Sequence, residues 1–161
     1  MEVEPPTELK LSPEDYQFYK KALTSRGFSY GIGALTYLRR VVENQMNTLL
    51  EIVLDIARGS GSSEESLKDL IEIRKSASFE DKARIAAKYL PAHLRPGDSN
   101  PFDVLADFAS KGMHSESDEE CIRIFDKIRL VFEYLFRNLS FSNTEANKYV
   151  ESLTRLSGSK S

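Results

Sequence analysis

The feature that most constrains this chain is a helical pattern that runs without a proline from about Ser29 to Arg58. At 1.5 Å of rise per residue such a helix is about 45 Å long, whereas a compact globule of this size is only about 40 Å across. It must therefore span the whole domain or project beyond it. Leu35, Leu38, Val41, Val42, Met46, Leu49, Leu50, Ile52, Val53 and Ile56 spread over an arc of roughly 200°, twice the stripe of an ordinary surface helix. Arg40, Asn44, Asn47, Glu51 and Asp55 make up the remaining polar face. A helix this apolar packs on two sides. It is either the centre of a bundle, or it faces a bundle on one side and a partner on the other. Gly31 and Gly33 predict frayed or kinked first turns.

Helix starts and stops recur along the rest of the chain, and no stretch alternates with the period of a strand. The expected fold is all-α, a bundle of about six or seven helices around the long one. Residues 1–11 read as a flexible lead-in, 12–156 as a single bundle domain and 157–161 as a flexible tail. Ser12-Pro13-Glu14-Asp15 opens the first helix, with a Ser cap, Pro at the first position and acids at the positive end of the dipole; Gly27 ends it. A third helix is expected over 62–74, a fourth from Ser78 until Pro91 stops it, and a fifth from Asn100-Pro101 to Ser110. Ser117-Asp118-Glu119-Glu120 caps a sixth that runs to about Asn138, and Ser142-Asn143-Thr144-Glu145 caps a seventh.

A net charge of −3, from 22 basic and 25 acidic residues, gives no electrostatic case for binding nucleic acid or an anionic membrane. No apolar run approaches the ~20 residues needed to cross a bilayer, and the start MEVEPPTELK has no apolar secretory core. One cysteine excludes an internal disulfide and suits a reducing, cytoplasmic setting. Cys121 lies in the middle of the sixth helix's apolar stripe with Ile124, Phe125, Ile128, Phe132, Leu135, Phe136 and Leu139, so it is expected to be a buried structural thiol.

Few residues suggest chemistry. Arg39 and Glu43 interrupt the apolar arc four residues apart. They read either as an ion pair at the arc's edge, worth a few tenths of a kcal/mol, or as a partly buried pair with a third partner. Of the two histidines, His93 sits in a Pro-flanked loop and reads as a surface residue. His114 follows Lys111 and Gly112 and precedes a capped helix, so a cation, an imidazole and several acids fall close together. Gly31-Ile32-Gly33 lacks the strand and third glycine of a phosphate-binding loop, and two isolated histidines make no metal site, so neither cofactor nor metal is expected.

The run Ser110-Lys111-Gly112-Met113-His114, followed by Ser117-Asp118-Glu119-Glu120-Cys121, resembles a signature of uncharacterised bacterial all-helical proteins. The long helix with Tyr37-Leu38-Arg39-Arg40-Val41-Val42-Glu43 and the segment from Lys82 to Leu90-Pro91 agree with it, so the likeness covers about Tyr16 to Phe136. In layout the chain also resembles the HEPN group of helical bundles. Some of these are metal-independent ribonucleases, and others bind nucleotides or serve as non-catalytic interaction domains. The ribonucleases carry an Arg shortly before the catalytic His. Here Asp107, Phe108 and Ala109 precede His114, and Ala86, Ala87 and Lys88 precede His93. Lys111 offers a point charge without the guanidinium's bidentate fit to phosphate. The resemblance therefore implies a non-catalytic interaction or oligomerisation module of a bacterial cytoplasmic protein, from a defence or stress system. The alternative is a ribonuclease or nucleotide-binding site using His114, Lys111, Arg39 and Glu43. Arg39, Glu43 and His114 are expected to meet between the long helix and the Gly112 loop. A buried His114 bonded to Glu43 would favour the module, and an open cleft with His114 beside Arg39 the enzyme. The wide arc of the long helix predicts a homodimer through part of that helix.

Overall fold

The computed structural model of the chain describes residues 3–59, 61, 63–65, 67–73, 75, 78–110 and 117–158. Among them all regular structure is helical: α1 (Pro13–Gly27), α2 (Gly31–Gly59), α3 (Lys68–Ile73), α4 (Phe79–Ala87), α5 (Pro101–Ser110) and α6 (Asp118–Gly158). Four of the helix starts follow their capping residues, whereas α3 begins at Lys68 and not at the expected run of 62–65. Ser12 accepts from the Asp15 amide at 3.1 Å, Ser78 from Asp81 at 3.2 Å, Asn100 from Phe102 at 3.0 Å and Ser117 from Glu120 at 3.1 Å. Each bond satisfies an amide that the first helical turn leaves without an internal acceptor.

The long helix is the centre of the bundle. α2 packs most extensively on α6 and α1, and also meets α5 and α4. Leu35, Leu38, Val41, Val42, Met46, Leu49, Leu50 and Val53 are at most 2% exposed, and Ile52 and Ile56 close the edges of the arc half-buried. Burying such a side chain contributes about 1.5–3 kcal/mol before chain entropy is subtracted. The chain thus covers the arc by itself, so the width of the arc does not call for a second copy on α2.

Polar links fix the helix directions. Arg26 forms a two-bond pair with Asp126, both bonds 2.9 Å long, and Tyr19 donates to Glu133, so α1 runs antiparallel to α6. Asp15 accepts from Asn44 and Gln45, each at 2.7 Å, and Phe18 stacks on Tyr37, so α1 also runs antiparallel to α2. Consequently α2 and α6 are parallel, with their N-termini together. There a Cβ on Gly31 would lie 2.0 Å from the Asp118 carbonyl oxygen, and the Asp118 carboxylate accepts from the Ile32 amide at 2.9 Å. Gly31 is therefore a point of close approach between two helices, where the sequence suggests a frayed end.

Two other expectations change. The sixth and seventh helices are one helix, α6, about 60 Å long. Neither Gly nor Pro interrupts residues 138–145, and Thr144 turns its hydroxyl back to the Ser140 carbonyl at 2.9 Å instead of capping a new helix. The first helix ends at Gly27, as its sequence predicts, and the left-handed residue after it is Ser29, with a φ of 62°. Finally, Leu9 of the lead-in is fully buried, and its 3-10 turn (Thr7–Leu9) packs on α6, while Glu4 pairs with Lys20 at 2.8 Å. Val3, Leu9 and Leu11 are scattered without a helical period that would announce this.

Candidate functional site

Arg39 does not pair with Glu43. Its Nε donates to the Phe108 carbonyl at 3.1 Å, and its guanidinium carbon lies 5.7 Å from the centre of the Phe108 ring. A cation at the last turn of α5 meets the negative end of that helix's dipole and an aromatic face together. Glu43, one turn further along α2, is half-buried, and no ion pair joins it to Arg39 among the described residues. His114 and Lys111 lie outside the described residues. The structure brings Arg39 to the end of α5, three residues ahead of Lys111, and shows Glu43 on the same helix.

The remaining polar groups of the interior hold the helices together. Tyr19 is fully buried, and its hydroxyl donates to Glu133, which also takes Arg129 at 2.9 Å. Burial, and then the Glu133 carboxylate, push the Tyr19 phenol far above its usual range. Lys82 is buried, and its ammonium donates to Asn47 at 2.7 Å; burial lowers its pKa. On the surface, Asp126 is held below the usual carboxylate range by its bonds to Arg26. Cys121 is fully buried beside Gly31, as its place in the stripe predicts. Among the described residues no group of three or more His, Cys, Asp and Glu side chains is placed to hold a metal ion. Each of these groups faces a structural partner, not an open cleft.

Exposed apolar features lie at the junction of α1 and α2, where Phe28 and Tyr30 stack, and along α6. His93 is exposed in the turn Ala92–Leu94 and borders an apolar groove of about 360 Å³, walled by Leu94, Pro96, Pro101, Val104, Val131 and Tyr134. Beyond Leu139, the last buried residue of α6, the helix leaves the bundle. Its apolar positions do not stop there. From Cys121 through Phe125, Ile128, Phe132, Leu135 and Leu139 they recur at alternating steps of four and three, and the same steps continue through Ser142, the one polar member, to Ala146, Tyr149, Leu153 and Leu156. That is a strict seven-residue repeat with a period of about 3.5, the seam of a left-handed coiled coil. In the overhang of residues 140–158 the seam is uncovered: Tyr149 is 66%, Leu153 50% and Leu156 69% exposed.

Sequence reasoning identified the apolar stripe of residues 121–139 but divided the helix at Ser142, and so missed the seam's continuation. The signal was the unbroken alternation of steps across residues 139–146. No helix of the described residues is long and apolar enough to cross a membrane. No family model, curated protein or solved structure matches this chain.

Proposed function

We propose that this chain is a non-catalytic, HEPN-like interaction module whose docking element is the α6 overhang. One observation carries this reading: a helix that has finished covering its own core keeps the same apolar repeat for about three further turns and more, with its largest side chains in water. A solitary solvated helix gains nothing from such a seam, whereas a second helix laid into it buries the exposed rings and leucines. The structural partners of Asp15 and Lys82 and the net charge of −3 argue in the same direction, away from acid–base chemistry and from nucleic acid. A bacterial cytoplasmic setting with a defence or stress role belongs to this proposal through the family resemblance.

The test is photo-cross-linking in the native cells, with a photoreactive residue placed at Tyr149 on the seam or at Asn147 on the polar side. Discrete adducts from Tyr149 and none from Asn147 are expected. No adduct from Tyr149 overturns the reading. The position of Arg39 favours one second reading, a ribonuclease in which its guanidinium, Lys111 and His114 surround a phosphate. That reading requires Arg39 to exchange the Phe108 carbonyl for substrate.

A further inference from the structure

Resting on the interaction reading above, we infer that the occupant of the α6 seam is the α6 overhang of a second copy of this chain, lying antiparallel to the first. The seam is unequal along its length. Its first half presents Ser142 and Ala146, and its second half presents Tyr149, Leu153 and Leu156. A twofold axis between residues 147 and 148 sets Ser142 against Leu153 of the second copy and Ala146 against Tyr149, while Leu156 comes level with Leu139, which its own bundle already buries. The Ser142 and Ala146 layers each join a small residue to a large one, which is how facing helices interdigitate at native density. A parallel, in-register pair would place serine on serine and alanine on alanine, leaving gaps, and tyrosine on tyrosine.

Charge fits the same arrangement. The overhang is neutral, with Glu145, Lys148, Glu151 and Arg155, and these satisfy one another within the helix: Lys148 reaches Glu145 at 3.8 Å, and Arg155 pairs with Glu151. Glu145 alone borders the seam, and across the antiparallel pair it faces Ser152 rather than another acid. No like charges oppose the contact. Size separates the two orientations as well. Paired helices lie about 8–10 Å apart, so a parallel pair would force two bundles, each about 40 Å across, to share one end. Antiparallel pairing sets the bundles at opposite ends, the span from Leu139 to Leu156 being about 25 Å of helix. Covering Tyr149, Val150, Leu153 and Leu156 on both copies buries at most on the order of 1,000 Å², the size of a weak, reversible pair whose affinity is set by how well these few side chains pack.

The experiment uses the full chain. Sedimentation should show a species of twice 18.3 kDa by several hundred micromolar, and L153E/L156E should remain at 18.3 kDa with an unchanged unfolding midpoint, because both leucines are exposed. Orientation is read by mild oxidation. A mixture of S142C and L153C chains should form the mixed disulfide dimer, and neither chain should couple efficiently to itself. An 18.3 kDa species at every concentration up to several hundred micromolar, or self-coupling of S142C, overturns the inference. Cellular adducts at Tyr149 of a mass other than twice the chain would reject the second copy while keeping the interaction reading; absence of any adduct would reject both.

Discussion

Replacing Gly31 with alanine sets two effects of opposite sign against each other. Alanine is the better helix former, worth up to about 1 kcal/mol in a helix interior and less in a first turn. Against this, the new methyl would lie 2.0 Å from the Asp118 carbonyl oxygen and 3.0 Å from the Cys121 Cβ, where contacts under 3.0 Å essentially never occur. The N-termini of α2 and α6 must therefore separate by about 1 Å, an overpacking cost of about 1–3 kcal/mol. Separation also weakens the bond from Ile32 to the Asp118 carboxylate, about 1 kcal/mol more. The net expectation is a loss of about 2 kcal/mol. With a urea slope near 2 kcal/mol/M for a domain of this size, the unfolding midpoint should fall by about 1 M. Gly27→Ala is the control, since nothing lies within 4 Å of a Cβ there and its φ is not positive; it should be neutral or raise the midpoint slightly. If Gly31→Ala is as stable as the wild type, the two helices do not touch at this point and the parallel arrangement of α2 and α6 must be redrawn.

Tyr19→Phe removes the donor to Glu133 from a fully buried site and should cost about 1–2 kcal/mol by urea unfolding; a cost below 0.5 kcal/mol would mean the bond is absent. Asp126, whose folded pKa lies below its unfolded value, adds stability that is present above about pH 4 and lost as pH falls through the lower folded value. The acid limb of the stability profile should therefore be shallower in Asp126→Asn, and an unaltered limb would show that Arg26 does not hold the carboxylate. Single-stranded RNA incubated with the protein in a chelator should be cut no faster than with His114→Ala, and cleavage lost in that variant would establish the ribonuclease reading. A double-mutant cycle of Glu43→Gln and His114→Gln should be non-additive if the expected cluster forms, whereas additivity within about 0.5 kcal/mol would separate the two residues.

Capping chemistry is local, and for that reason it was legible: Ser12, Ser78, Asn100 and Ser117 each bond an amide two or three residues on, and no distant residue is needed to see it. The centrality of α2 was legible too, since only a helix buried on two sides tolerates so wide an apolar arc. Ser142-Asn143-Thr144-Glu145 misled because it has the composition of a start without a stop before it, and a helix ladder once formed continues through residues of modest propensity. Arg39 shows the other limit. A wheel places it at the edge of the arc, but its partner is a main-chain carbonyl from residue 108, which no spacing rule encodes. Asp15 likewise reads as an acid serving a helix dipole, although Asn44 and Gln45 make it a buried joint between α1 and α2.

The continuity of α6 imposes a phase relation between its two halves. Each residue of a helix turns the chain by about 100°, so one residue inserted at Ser140 would swing Tyr149 and Leu153 a quarter-turn or more around the axis while leaving the bundle untouched. Seven inserted residues would return the overhang to within about 20° of its original azimuth and carry it about 10 Å further out. The rod therefore acts as both protractor and ruler, presenting its seam at one bearing and one distance from the bundle. Evolution of the docking geometry is then confined to heptad-sized steps, while single-residue changes in length re-aim the whole surface.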